Sequence, residues 1–424
     1  MTFRGFPEIV DQHAEEAAFL WLLRDAATRA PNYDLADLAE LDERVDAHLD
    51  GLRIAGTRGW AACRRELALR EAGEVFAAAH VALQSRIGRR IGQVLDVAAE
   101  SRELARGFVA ALCWFAYDDV APTISALVDS HDAAVRRIGI AASAAHRRDP
   151  GGPLVAAASD SDSSVRARAL KAAAELGRRD LLPLCADCDC DGLFDDRFWI
   201  GWSAALLGDA HAASVLCETA VSGAPTAERA CDLVTRRMRG NEASAWRRYL
   251  ADAEGDHRLA ITAARAHGDP GAIPWLIELM DAEQLARPAG EAFSFIAGVD
   301  LTAAGLTAPR PDGFESGPTD DTDDDNVAMD PDENLPWPQP RAVSAWWSQH
   351  RGRFTVGTRY LAGRPITTGT LRSVLARGTQ RLRAAAALEL VLLRPGQPLF
   401  EVRARADQQE WALERWSRTS SVSS

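Results

Sequence analysis

Two stretches of the chain share one pattern: DSHDAAVRRIGIAASAA from Asp129 and SDSDSSVRARALKAAAEL from Ser159, with Arg136 over Arg166. The register extends back to Arg106 and forward to Arg197, Arg229 and Arg258, in steps of 30, 30, 31, 32 and 29 residues. A second series, Asp119, Asp149, Asp180, Asp209, Asn241 and Asp269, falls between these positions. Pro122, Pro153, Pro183 and Pro274 mark the start of the helix that follows, where a missing N–H costs nothing. Self-similarity at this period is the signature of stacked repeats and excludes most other folds.

Each repeat reads as two helices. Ile124, Leu127 and Val128 share one face of the first, and Val135, Ile138, Ala142 and Ala145 share one face of the second. A single hairpin cannot bury its own apolar stripe, so neighbours must stack. Burying a Leu or Val contributes about 1.5–3 kcal/mol, and an exposed Asp–Arg pair roughly 0–1 kcal/mol. Packing therefore holds the array and the arginines set register. Upstream, Leu35, Leu38, Leu41, Val45, Leu49 and Leu52 predict a further amphipathic helix, and GEVFAAAHVAL from Gly73 looks like a repeat helix without its arginine.

The pattern D-x-x-V-R at Asp132–Arg136 and Asp162–Arg166 resembles the HEAT and HEAT-like phycobilisome-lyase repeats. Over nearly its whole length the chain resembles something narrower. QHAEEAAFLWLLRDAA, LAELDERVDAHLDGL, AGEAFSFIAGVDL, DENLPWP, RYLAGRP and QRLRAAAALEL are similar to segments of a bacterial HEAT-repeat family often encoded beside type VI secretion genes. That resemblance implies a setting and no catalytic residue.

With 424 residues and 47% hydrophobic content the chain can bury a large core. Its apolar runs, such as 17–23 and 390–393, fall far short of the roughly 20 residues of a membrane span. The start, MTFRGFPEIVDQH, lacks the apolar core of a secretory signal, so a cytoplasmic location is expected and the seven cysteines are read as thiols. The net charge of −13 argues against nucleic acid as a partner. That charge is uneven: from Arg341 on, fourteen arginines face five carboxylates, giving +9 and leaving −22 on the preceding residues.

Several motifs approach chemistry without reaching it. LCADCDCDG brings Cys185, Cys188 and Cys190 together, but three thiols fall short of the four ligands zinc usually takes, and the stretch sits in the turn of a repeat. It is read as a solvated turn with Cys185 on the buried face. DTDDDNVAMDPD from Asp321 has the acids of a calcium loop, but Asn326 replaces its glycine and Asp332 its long glutamate, so an acidic linker is expected. GWSAA at Gly201 approaches the nucleophile elbow but lies in a helical pattern. No catalytic residue, metal or cofactor is assigned.

Tryptophan and arginine supply the candidate interaction residues: Trp199 and Trp202 in the repeats, Trp337 in the non-helical LPWPQP, and Arg377 and Arg381 one turn apart on a long predicted helix. For most tryptophans core packing is the competing reading. RFTVGTRYLAGRP predicts a short hairpin and DQQEWALERW a closing helix. The expected fold is all-α: a right-handed α-α superhelix, a HEAT-like solenoid with a small, mostly helical C-terminal cap. Its parts are a helical region of degenerate repeats (1–100), HEAT-like repeats (101–308), an acidic Pro/Gly-rich linker (309–340) and a basic cap (341–424). The linker is expected to act as a flexible spacer or to fold back on the basic tail. The expected function is a non-enzymatic scaffold, adaptor or chaperone for another protein, a component or cargo of a type VI secretion apparatus. The alternative is a HEAT-like enzyme, resembling a DNA glycosylase or a bilin lyase.

Overall fold

The computed structural model describes residues 7–186, 194–317 and 329–421. The local chemistry of the repeat is visible at two turns. Asp132 caps the helix Ala133–Ala145, its carboxylate accepting from Val135 N at 3.0 Å, and Asp162 caps Ser163–Leu176 through Ser164 N and Val165 N. Four residues past each cap the arginine folds back over the turn. Arg136 donates to Ser130 O and His131 O, and Arg166 to Asp160 O and Ser161 O. Arg136 also reaches Asp160 in the next repeat at 2.8 Å, tying two turns together. The series is not a uniform ladder, because Arg106 pairs with Asp25 and Glu103, and Arg258 with Asp332.

The chain divides into two compact units. Unit 1 takes in the residues up to Arg29, then Tyr33–Asp209, then everything from Arg394. It holds α1 (Pro7–Ala27), α2 (Leu35–Ala55), α3 (Thr57–Glu66), α4 (Ala72–Ser85), α5 (Gly88–Ala98), α6 (Arg102–Trp114), α7 (Tyr117–Val128), α8 (Ala133–Ala145), α9 (Gly152–Ala157), α10 (Ser163–Leu176), α11 (Leu182–Ala186) and α12 (Phe194–Leu207). The second helices of successive hairpins pack in series, α6 on α8, α8 on α10 and α10 on α12, while α7, α9 and α11 each cover their own partner. All six apolar residues that predicted α2 are buried. Trp21 stacks on Phe76 and Trp114 meets the same ring edge-on. At Gly107 a Cβ would lie 2.1 Å from Ala72 O, so only glycine lets α6 touch α4 along the backbone.

Unit 2 holds α13 (Ala212–Ala220), α14 (Ala227–Arg237), α15 (Gly240–Asp252), α16 (His257–His267), α17 (Ile273–Leu279), α18 (Glu283–Ala297), α19 (Pro340–His350), β1 (Tyr360–Leu361), β2 (Arg364–Pro365), α20 (Thr368–Arg377) and α21 (Gln380–Leu393). Here α14, α16 and α18 pack in series, with α13, α15 and α17 against them. The predicted hairpin is present, Tyr360 opposite Pro365 across a turn at Ala362 and Gly363, both at positive φ. Buried charges join α21 to the repeats: Arg236 lies between Asp232 at 2.8 Å and Glu389 at 3.0 Å. The last helix, α22 (Ala406–Ser421), belongs to unit 1.

The described molecule is thus all-α apart from one two-stranded hairpin. The expected cap is divided, because residues 341–393 pack within unit 2 and those from Arg394 within unit 1. The long helix expected through Arg377 and Arg381 breaks at Gly378, and the buried Arg383 donates to Leu375 O across the break. Pro122 lies inside α7 instead of at its start, since that helix begins at Tyr117. The flanks of the acidic segment are packed, not spacer-like. Thr307 bridges Pro338, Phe314 and Leu335 are buried, and Asp330 and Asp332 pair with Arg287 and Arg258. Asp332, the last position of the calcium-like loop, is therefore engaged by a guanidinium. The rest of that loop up to residue 328 lies outside the described residues, as do Cys188 and Cys190. Cys185 is buried, as its turn predicted.

Candidate functional site

Helical spacing brings one group of charged side chains to a common place in unit 1. Trp21, Arg24 and Asp25 lie at i, i+3 and i+4 on α1, Arg102 and Arg106 one turn apart on α6, and Arg168, Lys171 and Glu175 at i, i+3 and i+7 on α10. Arg137 of α8 joins them. An irregular strap from Arg394 to Arg405 closes the fourth side, adding Glu401, Arg403 and Arg405. The strap is held by its backbone: Leu399 N donates to Glu175 O at 2.9 Å and Arg24 to Ala404 O at 2.6 Å. Gly177, at φ +74, permits the approach of Gly396, whose carbonyl would lie 2.4 Å from a Cβ there. Together these elements enclose a cavity of about 310 Å³.

Eight cationic side chains line this cavity against three carboxylates. The carboxylates are already engaged. Asp25 pairs with Arg403 and Arg29, each at 2.9 Å, and with Arg106; Glu175 pairs with Arg168 at 3.0 Å, and Glu401 with Arg147 at 3.2 Å. Burial pushes the Asp25 carboxyl up, but Arg403, Arg29 and Arg106 outweigh it and hold it below the usual range. Glu175 behaves alike: burial raises it, and Arg168, Lys171 and Arg147 bring it below the ordinary value. Burial raises the Cys113 thiol to about 12. Three guanidinium groups rest on indole faces, Arg106 at 5.2 Å from the centroid of Trp21, and Arg24 and Arg405 at 5.7 and 5.0 Å from that of Trp114. The arrangement can hold an oxyanion.

The residues singled out in the sequence do not assemble here. Trp202 is buried beside Trp199, and Trp199 carries the Lys171 ammonium 3.4 Å from its ring centroid, so α12 supports the cavity wall from behind. Trp337 is half-buried and packs edge-on to Phe314 under the Arg287 guanidinium, which ties its segment to α18. Arg381 pairs with Glu291 at 2.8 Å, and Arg377, on the next helix back, is exposed. Among the described residues no group of three or more His, Cys, Asp or Glu could hold a metal ion, and no helix is long and apolar enough to cross a membrane. Sequence reasoning missed the cavity. Its one available signal was the single lysine of the chain, Lys171, sharing a helix face with Arg168 and Glu175. Compared with known proteins, the chain matches no family model, no curated protein and no solved structure.

Proposed function

We propose that the chain is a non-enzymatic binding scaffold, an adaptor or chaperone whose unit 1 cavity receives an anionic group presented by a partner protein. The hairpins stacked within each unit are read as HEAT-like repeats of a right-handed superhelix, a form that offers extended surface for a partner. The resemblance to a family encoded beside type VI secretion genes makes a component or cargo of that apparatus the partner to seek, in the cytoplasm. The observation that carries the reading is the state of the cavity's acids. Each is tied to a guanidinium in a lining that holds eight cationic side chains and three carboxylates, which suits recognition of an anion.

The cavity's basic character also bears on the DNA glycosylase-like reading, which needs a positive channel and a carboxylate within reach of the substrate. Against that reading stands Asp25, whose side chain is 8% exposed and held by three arginines. A bilin-lyase-like enzyme would purify with a coloured ligand. The test is capture of partners by the tagged chain from its own host, beside an Arg137→Glu/Lys171→Glu variant. A protein retained by the wild type and lost by the variant, with less retained at high salt, supports the reading; capture unaffected by the charge reversal overturns it.

A further inference from the structure

A second cluster lies on α1 and α2, formed by residues that do not line the cavity. His13 of α1 and His48 of α2 bring their Nδ1 atoms 3.2 Å apart, with the ring planes at 73°. The next residue in each helix, Ala14 and Leu49, is buried, so both ring positions are set by the packed helix pair. Gly51 stands one turn past His48, and a Cβ there would lie 2.6 Å from Cδ2 and Nε2 of His13. The glycine leaves that space to the His13 ring. Both rings are half-buried, so solvent reaches them. Burial first, and then the charges of His13 and Arg44, hold His48 below its ordinary pKa against an opposing pull from Glu16. Near neutral pH it is therefore the neutral imidazole, the form that ligates a metal.

We infer that His13 and His48 chelate a transition-metal dication of the zinc class through their Nδ1 atoms. Imidazole nitrogen suits Zn²⁺, Cu²⁺ and Ni²⁺, whereas Mg²⁺ and Ca²⁺ take oxygen. With metal–nitrogen bonds of about 2.0–2.1 Å, a tetrahedral ion holds two ligand nitrogens roughly 3.3 Å apart. The pair already stands at 3.2 Å, so chelation asks for a tilt of the rings and little movement of the helices. Without metal, one Nδ1–H donates to the other Nδ1. On coordination that proton passes to Nε2 of the same ring, which leaves both imidazoles neutral and both Nδ1 lone pairs free for the metal. Glu16, one turn from His13 on α1, adds a negative charge felt at His48 that favours a cation there. Among the described residues no group of three His, Cys, Asp or Glu forms a closed cage. The remaining positions of the ion are therefore open to water or to a donor group of a partner protein. The inference stands apart from the reading of the cavity.

The test is isothermal titration of the metal-stripped full chain with ZnCl2, in a Cys188→Ser/Cys190→Ser background so that those thiols do not contribute. A single Zn²⁺ is expected to bind. Adding His13→Gln or His48→Gln should weaken it at least about tenfold, since loss of even an outer partner of a metal ligand costs about 10–100-fold. Gly51→Ala, which crowds the His13 ring and keeps both ligands, should weaken it as well. A second readout needs no histidine variant: with one equivalent of Cu²⁺, the electron paramagnetic resonance spectrum should show coupling to two imidazole nitrogens. Zinc affinity unaffected by either histidine substitution overturns the inference, and so does a copper spectrum with fewer than two imidazole nitrogens. Absence of binding at millimolar zinc also overturns it and leaves the pair as a hydrogen bond between α1 and α2.

Discussion

At the scale of single residues, burial decides which groups can respond to pH. His80 lies 7% exposed, stacked 4.6 Å from Phe115, with its Nδ1 unpartnered. Burial first, and the Arg405 charge second, lower its pKa from 6.5 to about 4, against a small opposing pull from Asp50. The unfolded imidazole takes its proton near 6.5 and the folded one only near 4. The contribution of neutral His80 is therefore full above pH 6.5, falls through that window and is lost at about 4, a total of about 3 kcal/mol. Melting temperatures between pH 7 and 4 should show this slope, and His80→Phe should flatten it; an unchanged slope would assign it to other groups. Glu389 makes a complementary case. It is 1% exposed and accepts from both Arg236 and Arg359, so Glu389→Ala takes one buried acceptor from each, leaves Asp232 alone against Arg236, and should cost about 3–5 kcal/mol by denaturant midpoint. A loss below about 1 kcal/mol would mean that water reaches the network.

At the scale of elements, the repeat rests on apolar packing with its arginines as turn clamps. Leu170 is fully buried, and Leu170→Ala should cost about 2–5 kcal/mol. Arg166 holds two turn carbonyls from a half-buried position, so Arg166→Ala should cost less, about 1 kcal/mol. Denaturation of the two variants side by side checks the order, and the reverse order would mean that the clamp stabilises the repeat more than its packing does. The helices and caps were legible because the period of apolar residues and an Asp at the turn are local signals. The break at Gly378 was not, because it depends on Arg383 reaching back to Leu375 O, a contact that helical periodicity does not encode. The contacts of Trp337 with Arg287 and Phe314 were likewise hidden, because Arg287 lies far from it in sequence. The strap was hidden for the same reason. Nothing local in 394–405 says that its backbone will meet Glu175 and Arg24.

At the scale of the whole molecule, average charge is a poor guide to any one place on it. The chain carries −13, and that figure argued against nucleic acid as a partner, yet the unit 1 cavity gathers eight cations. They come from α1, α6, α8, α10 and the strap, so no window of sequence shows the cluster. The division into two units likewise cuts across the basic tail, whose charge as a block predicted a single cap. The most direct test of the cavity as an anion receptor is thermal unfolding of the wild type and an Arg102→Glu/Lys171→Glu variant, in phosphate and in chloride at equal ionic strength. Any general salting effect acts on both proteins, so the difference of differences reads the site alone. With phosphate a hundredfold above its Kd, the wild type should gain about 2.7 kcal/mol more than the variant. An equal gain in both proteins would contradict the account.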